Sequence, residues 1–183
     1  MRKIVALIPR FGSGGFPRRV DPIVYMKEKD STAYKTKTPS EHPALNRLKS
    51  NEKVREMQHY TQHGCISTYE HCERVAELSG KINRRMHLHA DEETLLTGAM
   101  LHDFYLYDWH EKDGGTHSWH GYIHADRANE NAKKHFGIDE KTSHVIQSHM
   151  WPLNITRIPH SREAWIVCIA DKCVSLKETL FDR

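Results

Sequence analysis

The chain has 183 residues, 38% of them apolar, and a mean hydropathy of −0.72, which leaves room for one domain with a sizeable core under a very polar surface. It contains no apolar run of about 18 residues, which excludes a membrane-spanning helix. The net charge of +3 is uneven: residues 1–40 carry nine Lys/Arg against three Asp/Glu, a local +6, and the remainder carries −3, so a basic arm that could attract a phosphate-bearing ligand precedes a mildly acidic body.

Residues 1–45 have weak periodicity and many breakers, among them Pro9, Gly12, Pro17, Pro22, Pro39 and Pro43. They read as an irregular basic N-terminal arm with a short strand at Lys3–Ile8. Ile4–Ile8 is too short for the apolar core of a signal peptide and lacks a small-residue cleavage site, so we expect a cytoplasmic protein. Gly12–Ser13–Gly14–Gly15 lacks the Gly-Lys-Ser/Thr ending of a phosphate-binding loop and reads as a flexible turn.

Residues 46–183 read as a helical domain. The pattern predicts a short helix over Asn51–Thr61 and a longer one over Thr68–Met86, with Thr68 as its N-cap and Cys72, Val75, Ala76, Leu78, Ser79 and Ile82 at helical spacing. Asp91 caps a helix over Glu92–Leu106, with acidic residues in its first turn as the helix dipole prefers. Residues 107–118 form a loop rich in Asp, Gly, His and Trp. A helix over Trp119–Phe136 stops at Gly137, Asp139 caps another through Ser148, and Trp151–Pro159 is a loop with two prolines. Ser161 caps the last helix, Glu163–Leu180. The expected fold class is all-α, a bundle of five or six helices. Cys65, Cys72, Cys168 and Cys173 make no C-x-x-C pair, so reduced thiols are expected rather than a zinc ribbon.

Fifteen histidines are the unusual count, and several stand beside apolar helical positions. His102 and Asp103 end the run Leu95–Leu101. His71 lies on the preceding helix, His120 and His149 lie downstream, and Asp171 ends the run Ile166–Ala170. Imidazole is a common metal ligand, and a carboxylate at the end of a buried run is costly unless it is paired or metal-bound. The order His, His-Asp, His, His, Asp therefore points to a metal site and to a metal-dependent phosphohydrolase. His124 stands four residues from His120 and competes with it; the alternative for His124 is a substrate-facing role.

Three segments, Tyr69–Glu70–His71–Cys72–Glu73–Arg74–Val75, Leu101–His102–Asp103 and Ile169–Ala170–Asp171–Lys172, resemble the HD-domain superfamily of metal-dependent phosphohydrolases. The resemblance covers roughly residues 65–182. Trp119–His120–Gly121–Tyr122 and Ile146–Gln147–Ser148–His149 bring it nearest to the bacterial diadenosine tetraphosphatase type, which binds two irons. That resemblance implies an HD-type bundle with His71, His102, Asp103 and Asp171 on one ion. It implies His120, His149 and a bridging Asp103 on a second ion. It also implies attack of a metal-bound hydroxide on a phosphoester or phosphoanhydride of a nucleotide or dinucleoside polyphosphate. Ligand type alone does not choose among Fe, Mn, Zn and Co.

Many phosphatases of this superfamily carry a Lys soon after His-Asp, but here Phe104–Tyr105–Leu106–Tyr107–Asp108 follows. Lys172, Arg127 and the basic arm are the replacement candidates for phosphate recognition. The rival readings are an HD-type di-iron oxygenase and a non-enzymatic metal or nucleotide sensor. Nothing points to sequence-specific nucleic-acid binding. The sequence leaves the oligomeric state open, a homodimer included.

Overall fold

Pro43 opens α1 (Pro43–Ser50), because its fixed φ suits a first helical position and its missing N–H would go unpaired there in any case. The structure, a computed structural model, describes residues 42–108 and 120–181, the side chains of His63 and His120 excepted. The arm expected to stay irregular through residue 45 thus gives way to helix earlier, with His42 Nδ1 accepting from the Ala44 N–H (3.3 Å). The expected strand at Lys3–Ile8, the Gly12–Gly15 turn and residues 109–118 of the expected loop lie outside the described residues.

The helix expected over Asn51–Thr61 is shorter. It runs as α2 (Glu52–Arg55), capped by Asn51, and then as a 3₁₀ turn over Glu56–His59. The chain next pairs β1 (Thr61–His63) antiparallel with β2 (Ile66–Ser67), turning at Gly64, whose φ of 55° favours glycine. Ser67, not Thr68, caps α3 (Thr68–Arg85): its hydroxyl accepts from the Glu70 N–H, and the Glu70 carboxylate accepts from the Ser67 N–H.

Asp91 caps α4 (Glu92–Leu101) as expected, but the helix stops well short of Leu106. The carbonyls beyond it are taken by other donors: Asn131 Nδ2 donates to the oxygens of Phe104 (3.0 Å) and Tyr105 (3.1 Å). α5 (His120–Phe136) ends at Gly137, with φ 59°, as the sequence predicts. α6 (Glu140–Ser148) is capped by Asp139, and α7 (Arg162–Phe181) begins where Ser161 Oγ accepts from the Ala164 N–H.

The fold is all-α, with a single two-stranded hairpin among the described residues. α4 forms the middle of the bundle. Leu95, Leu96, Ala99, Met100 and Leu101 are all fully buried, as befits a helix packed by α1, α3, α6 and α7 on its several sides. None of the described helices is long and apolar enough to cross a membrane. The four cysteines are free thiols, Cys72 and Cys168 buried, Cys65 and Cys173 exposed.

α4 and α6 approach closely at Gly98, where an added Cβ would stand 2.5 Å from Val145 Cγ1 and 2.9 Å from Val145 Cβ. Both helices end at site residues, so this approach sets how near those residues lie. In an open helix Gly→Ala stabilises by up to about 1 kcal/mol. Here Gly98→Ala is expected to destabilise by about 1–3 kcal/mol through overpacking, read as a lower Tm in thermal unfolding. An unchanged or raised Tm would show that α6 yields at no cost.

Candidate metal centre

α4 and α6 end in the same way. His102 and His149 are their C-caps, both in right-handed helical conformation. His102 Nδ1 lies 2.7 Å from the Ala99 oxygen, and His149 Nδ1 lies 2.7 Å from the Ile146 oxygen. A carbonyl only accepts, so each Nδ1 carries the proton and each Nε2 is left with a lone pair. In a continuing helix those carbonyls would take the N–H of Asp103 and of Met150. The imidazoles claim them instead, and this is why α4 ends before Leu106. Both Nε2 atoms point to one place.

Asp103 lies between them, 2% exposed. Its Oδ2 faces His102 Nε2 (3.4 Å) and His71 Nε2 (3.9 Å). Its Oδ1 faces His124 Nε2 (3.3 Å) and His149 Nε2 (3.5 Å). Asp171, from the middle of α7, puts Oδ1 at 3.2 Å from His71 Nε2 and 3.8 Å from His102 Nε2. Two sets of donors result. One is His71, His102, Asp103 and Asp171; the other is Asp103, His124 and His149. The carboxylate of Asp103 is common to both.

The residues present fit metal ions. Donors about 2.0–2.2 Å from an ion stand roughly 3.0–3.5 Å apart in octahedral or tetrahedral geometry; the contacts run from 3.2 to 3.9 Å in the first set and from 3.0 to 3.5 Å in the second. His102 Nε2 and Asp103 Oδ1 are buried without a hydrogen-bond partner. His124 Nε2 and His149 Nε2 stand 3.0 Å apart, with the His149 lone pair open to a proton on His124 or to a cation. Buried acceptors with no donor, as at His102 Nε2 and Asp103 Oδ1, require a cation or bound protons. The negative ends of two helix dipoles, at the C-termini of α4 and α6, favour positive charge at the same place.

Without a cation, protons would answer the same requirement. Burial opposes a charged His71, but hydrogen bonds to Asp171 and Glu178 outweigh it and push its pKa up to about 10. Burial likewise opposes charge on His102, and the Asp103 carboxylate beside it raises its pKa well above the ordinary value. Asp103 and Asp171 resist the upward pull of burial and titrate below the usual carboxylate range because of those imidazoles. His149 goes the other way: burial and the charge on His102 hold it neutral, with its pKa down to about 3.

Two supports reach the site from residues that the sequence did not single out. Glu178, fully buried on α7, accepts from His71 Nδ1 (2.8 Å) through Oε2 and from Arg74 Nη1 (3.1 Å) through Oε1. A carboxylate on the far nitrogen of a ligating imidazole fixes the ring and its tautomer. The spacing was a usable signal, since Asp171 and Glu178 are seven apart on one helix face, as His71 and Arg74 are three apart on another. Gln62, on β1, donates from Nε2 to Asp103 Oδ2 at 2.7 Å. No sequence pattern marks it, because it falls in the short gap between the two expected helices, to which no element is assigned.

Among the residues singled out from sequence, His71, His102, Asp103, His149 and Asp171 come together. His124 joins them, against Asp103 Oδ1. His120 opens α5, and its side chain lies outside the described residues. Lys172 lines a cleft of about 620 Å³ beside the site, together with Gln62, Asp103, His124, His149, Met150, Pro152, Leu153 and Asp171. Its Nζ donates to the His149 oxygen (2.9 Å) and the Cys168 oxygen (3.3 Å). Arg127 is exposed, 3.7 Å from Glu130, and is not among the residues that line this cleft.

A cation entering the deeper set must displace the protons on His71 and His102. Metal affinity of chelator-stripped protein is therefore expected to rise as pH increases from about 6 to 9, with protons released on binding. Calorimetric titration in buffers of different ionisation enthalpy reads that release directly. A pH-independent affinity with no release would contradict the protonated site.

A family model of the HD domain matches residues 68–176, more than half of the chain. No curated protein and no solved structure matches it. The match spans His71, His102, Asp103, His124, His149 and Asp171, and it leaves out Gln62 and Glu178. On the extent of that match, the chain belongs to the HD domain family.

Proposed function

We propose that this protein is a phosphohydrolase that uses two divalent ions, iron foremost with Mn, Zn or Co as substitutes. It cleaves a phosphoester or phosphoanhydride bond of a nucleotide or dinucleoside polyphosphate, as the diadenosine tetraphosphatase type does. Membership of a family of metal-dependent hydrolases supports the reaction class. The observation that carries the two-ion reading is Asp103, whose two oxygens each face a pair of imidazole Nε2 atoms.

His71, His102, Asp103 and Asp171 would hold one ion, and Asp103, His124 and His149 the other; His120 is the alternative ligand to His124. When bound, the ions lower the pKa of water and neutralise charge on phosphoryl oxygens. The chain's own groups orient the substrate. Lys172, anchored by two carbonyls yet with its side chain 44% exposed, presents an ammonium to the cleft for a phosphoryl oxygen. Met150, Pro152 and Leu153 give the cleft an apolar wall for a base or ribose face. Glu178 and Arg74 hold His71 in orientation from behind.

A second reading is favoured by one observation. The positions after Asp103 hold buried Phe104 and Tyr105 rather than a cation, which suits a di-iron oxygenase with a less charged substrate.

The test is elemental analysis of protein purified without chelator, followed by turnover of a nucleotide and dinucleoside polyphosphate panel with and without oxygen. About two ions per chain and oxygen-independent hydrolysis are expected, read as mononucleotide products from a dinucleoside polyphosphate or as phosphate from a nucleotide. Product formation only in oxygen would favour the second reading, and neither activity with any metal would refute both. Asp103→Ala should lose both ions and lower turnover by more than about 100-fold, since even outer hydrogen-bond partners of ligands are worth 10–100-fold. His124→Ala should retain one ion. Two ions in His124→Ala together with one in His120→Ala would assign that ligand to His120 instead.

A further inference from the structure

Asp103 can address two ligand sets only if its carboxylate plane is held. The terminal torsion of Asp is broad and roughly two-fold, so nothing intrinsic to the side chain selects that plane. The two oxygens are also unequal. Oδ1 has no hydrogen-bond partner, whereas Oδ2 accepts from Gln62 Nε2 at 2.7 Å, the short length of a charge-assisted bond.

Gln62 is itself held. Its Oε1 accepts from the Tyr105 hydroxyl (2.7 Å) and from Thr68 Oγ1 (3.3 Å), and those two hydroxyls stand 3.0 Å apart. Reversing the amide would set Oε1 against the Asp103 carboxylate, two acceptors in contact, so the network admits one orientation. Tyr105 and Thr68 are buried, and the single hydroxyl proton of Thr68 is shared between Gln62 Oε1 and the Tyr60 oxygen (3.2 Å). The β1–β2 hairpin thus delivers one directed N–H to one oxygen of the shared carboxylate.

We propose that Gln62 is a positioning residue that fixes the rotation of the Asp103 carboxylate, so that Oδ2 is committed to His71 and His102 and Oδ1 to His124 and His149. This rests on the two-ion reading above. Without that N–H, the carboxylate is free to turn both oxygens toward the deeper set and to leave the cleft-facing set with two imidazoles alone. Gln62 lies ahead of the stretch that the family model matches, on an element outside the helical bundle. The consequence is selective: loss of Gln62 weakens the second ion far more than the first.

The test is calorimetric titration of Mn²⁺ into the chelator-stripped full-length chain, with electron paramagnetic resonance of the loaded protein to detect a spin-coupled pair. Wild type is expected to bind two ions and to show the coupled signal. Gln62→Leu is expected to keep the first affinity within about 3-fold, to lose 10–100-fold in the second, and to lose the coupled signal. Tyr105→Phe, which leaves Asp103 and Gln62 in place and removes the hydroxyl that orients the amide, is expected to show a smaller loss in the same direction. If wild type binds two ions and Gln62→Leu matches it in both affinities and in coupling, this inference fails and the two-ion reading stands. If wild type binds one ion, both fail. Should Gln62→Leu not fold, Tyr105→Phe decides: a weakened second ion supports the role, and an unchanged one overturns it.

Discussion

At the C-termini of α4 and α6 an imidazole N–H takes the carbonyl three residues back, His102 from Ala99 and His149 from Ile146. A side chain that competes for the carbonyl of the next helical turn both ends the helix and fixes its own ring. Each bond also decides which nitrogen keeps the lone pair, and in both cases that nitrogen faces Asp103. The close approach of the two helices at Gly98 and Val145 then brings the rings of His102 and His149 to a centroid separation of 4.8 Å. The site is thus a by-product of where two buried helices stop.

The remaining groups answer the electrostatic problem that this creates. Two carboxylates and four imidazoles share a space nearly closed to water, where an unpaired charge is costly. Asp171 and Glu178 bracket His71 from α7, and Arg74 on α3 leads the charge of Glu178 outward to solvent. α3 and α7 are joined by this chain of ion pairs as well as by apolar packing. His149 escapes protonation because burial opposes its charge and the charge on His102 repels it, which the nearby Asp103 only partly offsets. His71 differs in having a carboxylate hydrogen-bonded to each ring nitrogen, Asp171 at Nε2 and Glu178 at Nδ1, and these outweigh its burial.

How much of this was legible in the sequence follows from range. Caps act locally, so Asp91, Asp139, Ser161 and Gly137 marked helix ends correctly. His102, Asp103 and Asp171 were legible because a polar residue that closes an apolar run has to be paired in the core. The hairpin was not, since its two short strands have too few residues for a period of two to show, and most of it fell in the unassigned gap between the helices expected over Asn51–Thr61 and Thr68–Met86. Pro43 misled in the opposite sense, a breaker by composition that serves as a helix start by position. Gln62 and Glu178 lie 41 and 107 residues from the groups that they bind, and only the folded chain brings them there.

The two ligand sets are not equivalent toward the cleft. Asp103, His124, His149 and Asp171 line it, whereas His71 and His102 stand behind them, fully buried. A substrate in the cleft would meet the second set first, beside Lys172 and the apolar wall of Met150, Pro152 and Leu153. The deeper set would act on it through the Asp103 carboxylate that both sets share, and through Asp171, which also lines the cleft. Hydrogen bonding is distributed in keeping with that division. His71 and His102, remote from substrate, are held by Glu178 and by a helix carbonyl, while the shared Asp103 is held by Gln62 from an element outside the bundle. The bundle thus supplies the imidazoles and carboxylates of both halves, and the hairpin adds the one N–H that holds the carboxylate common to them.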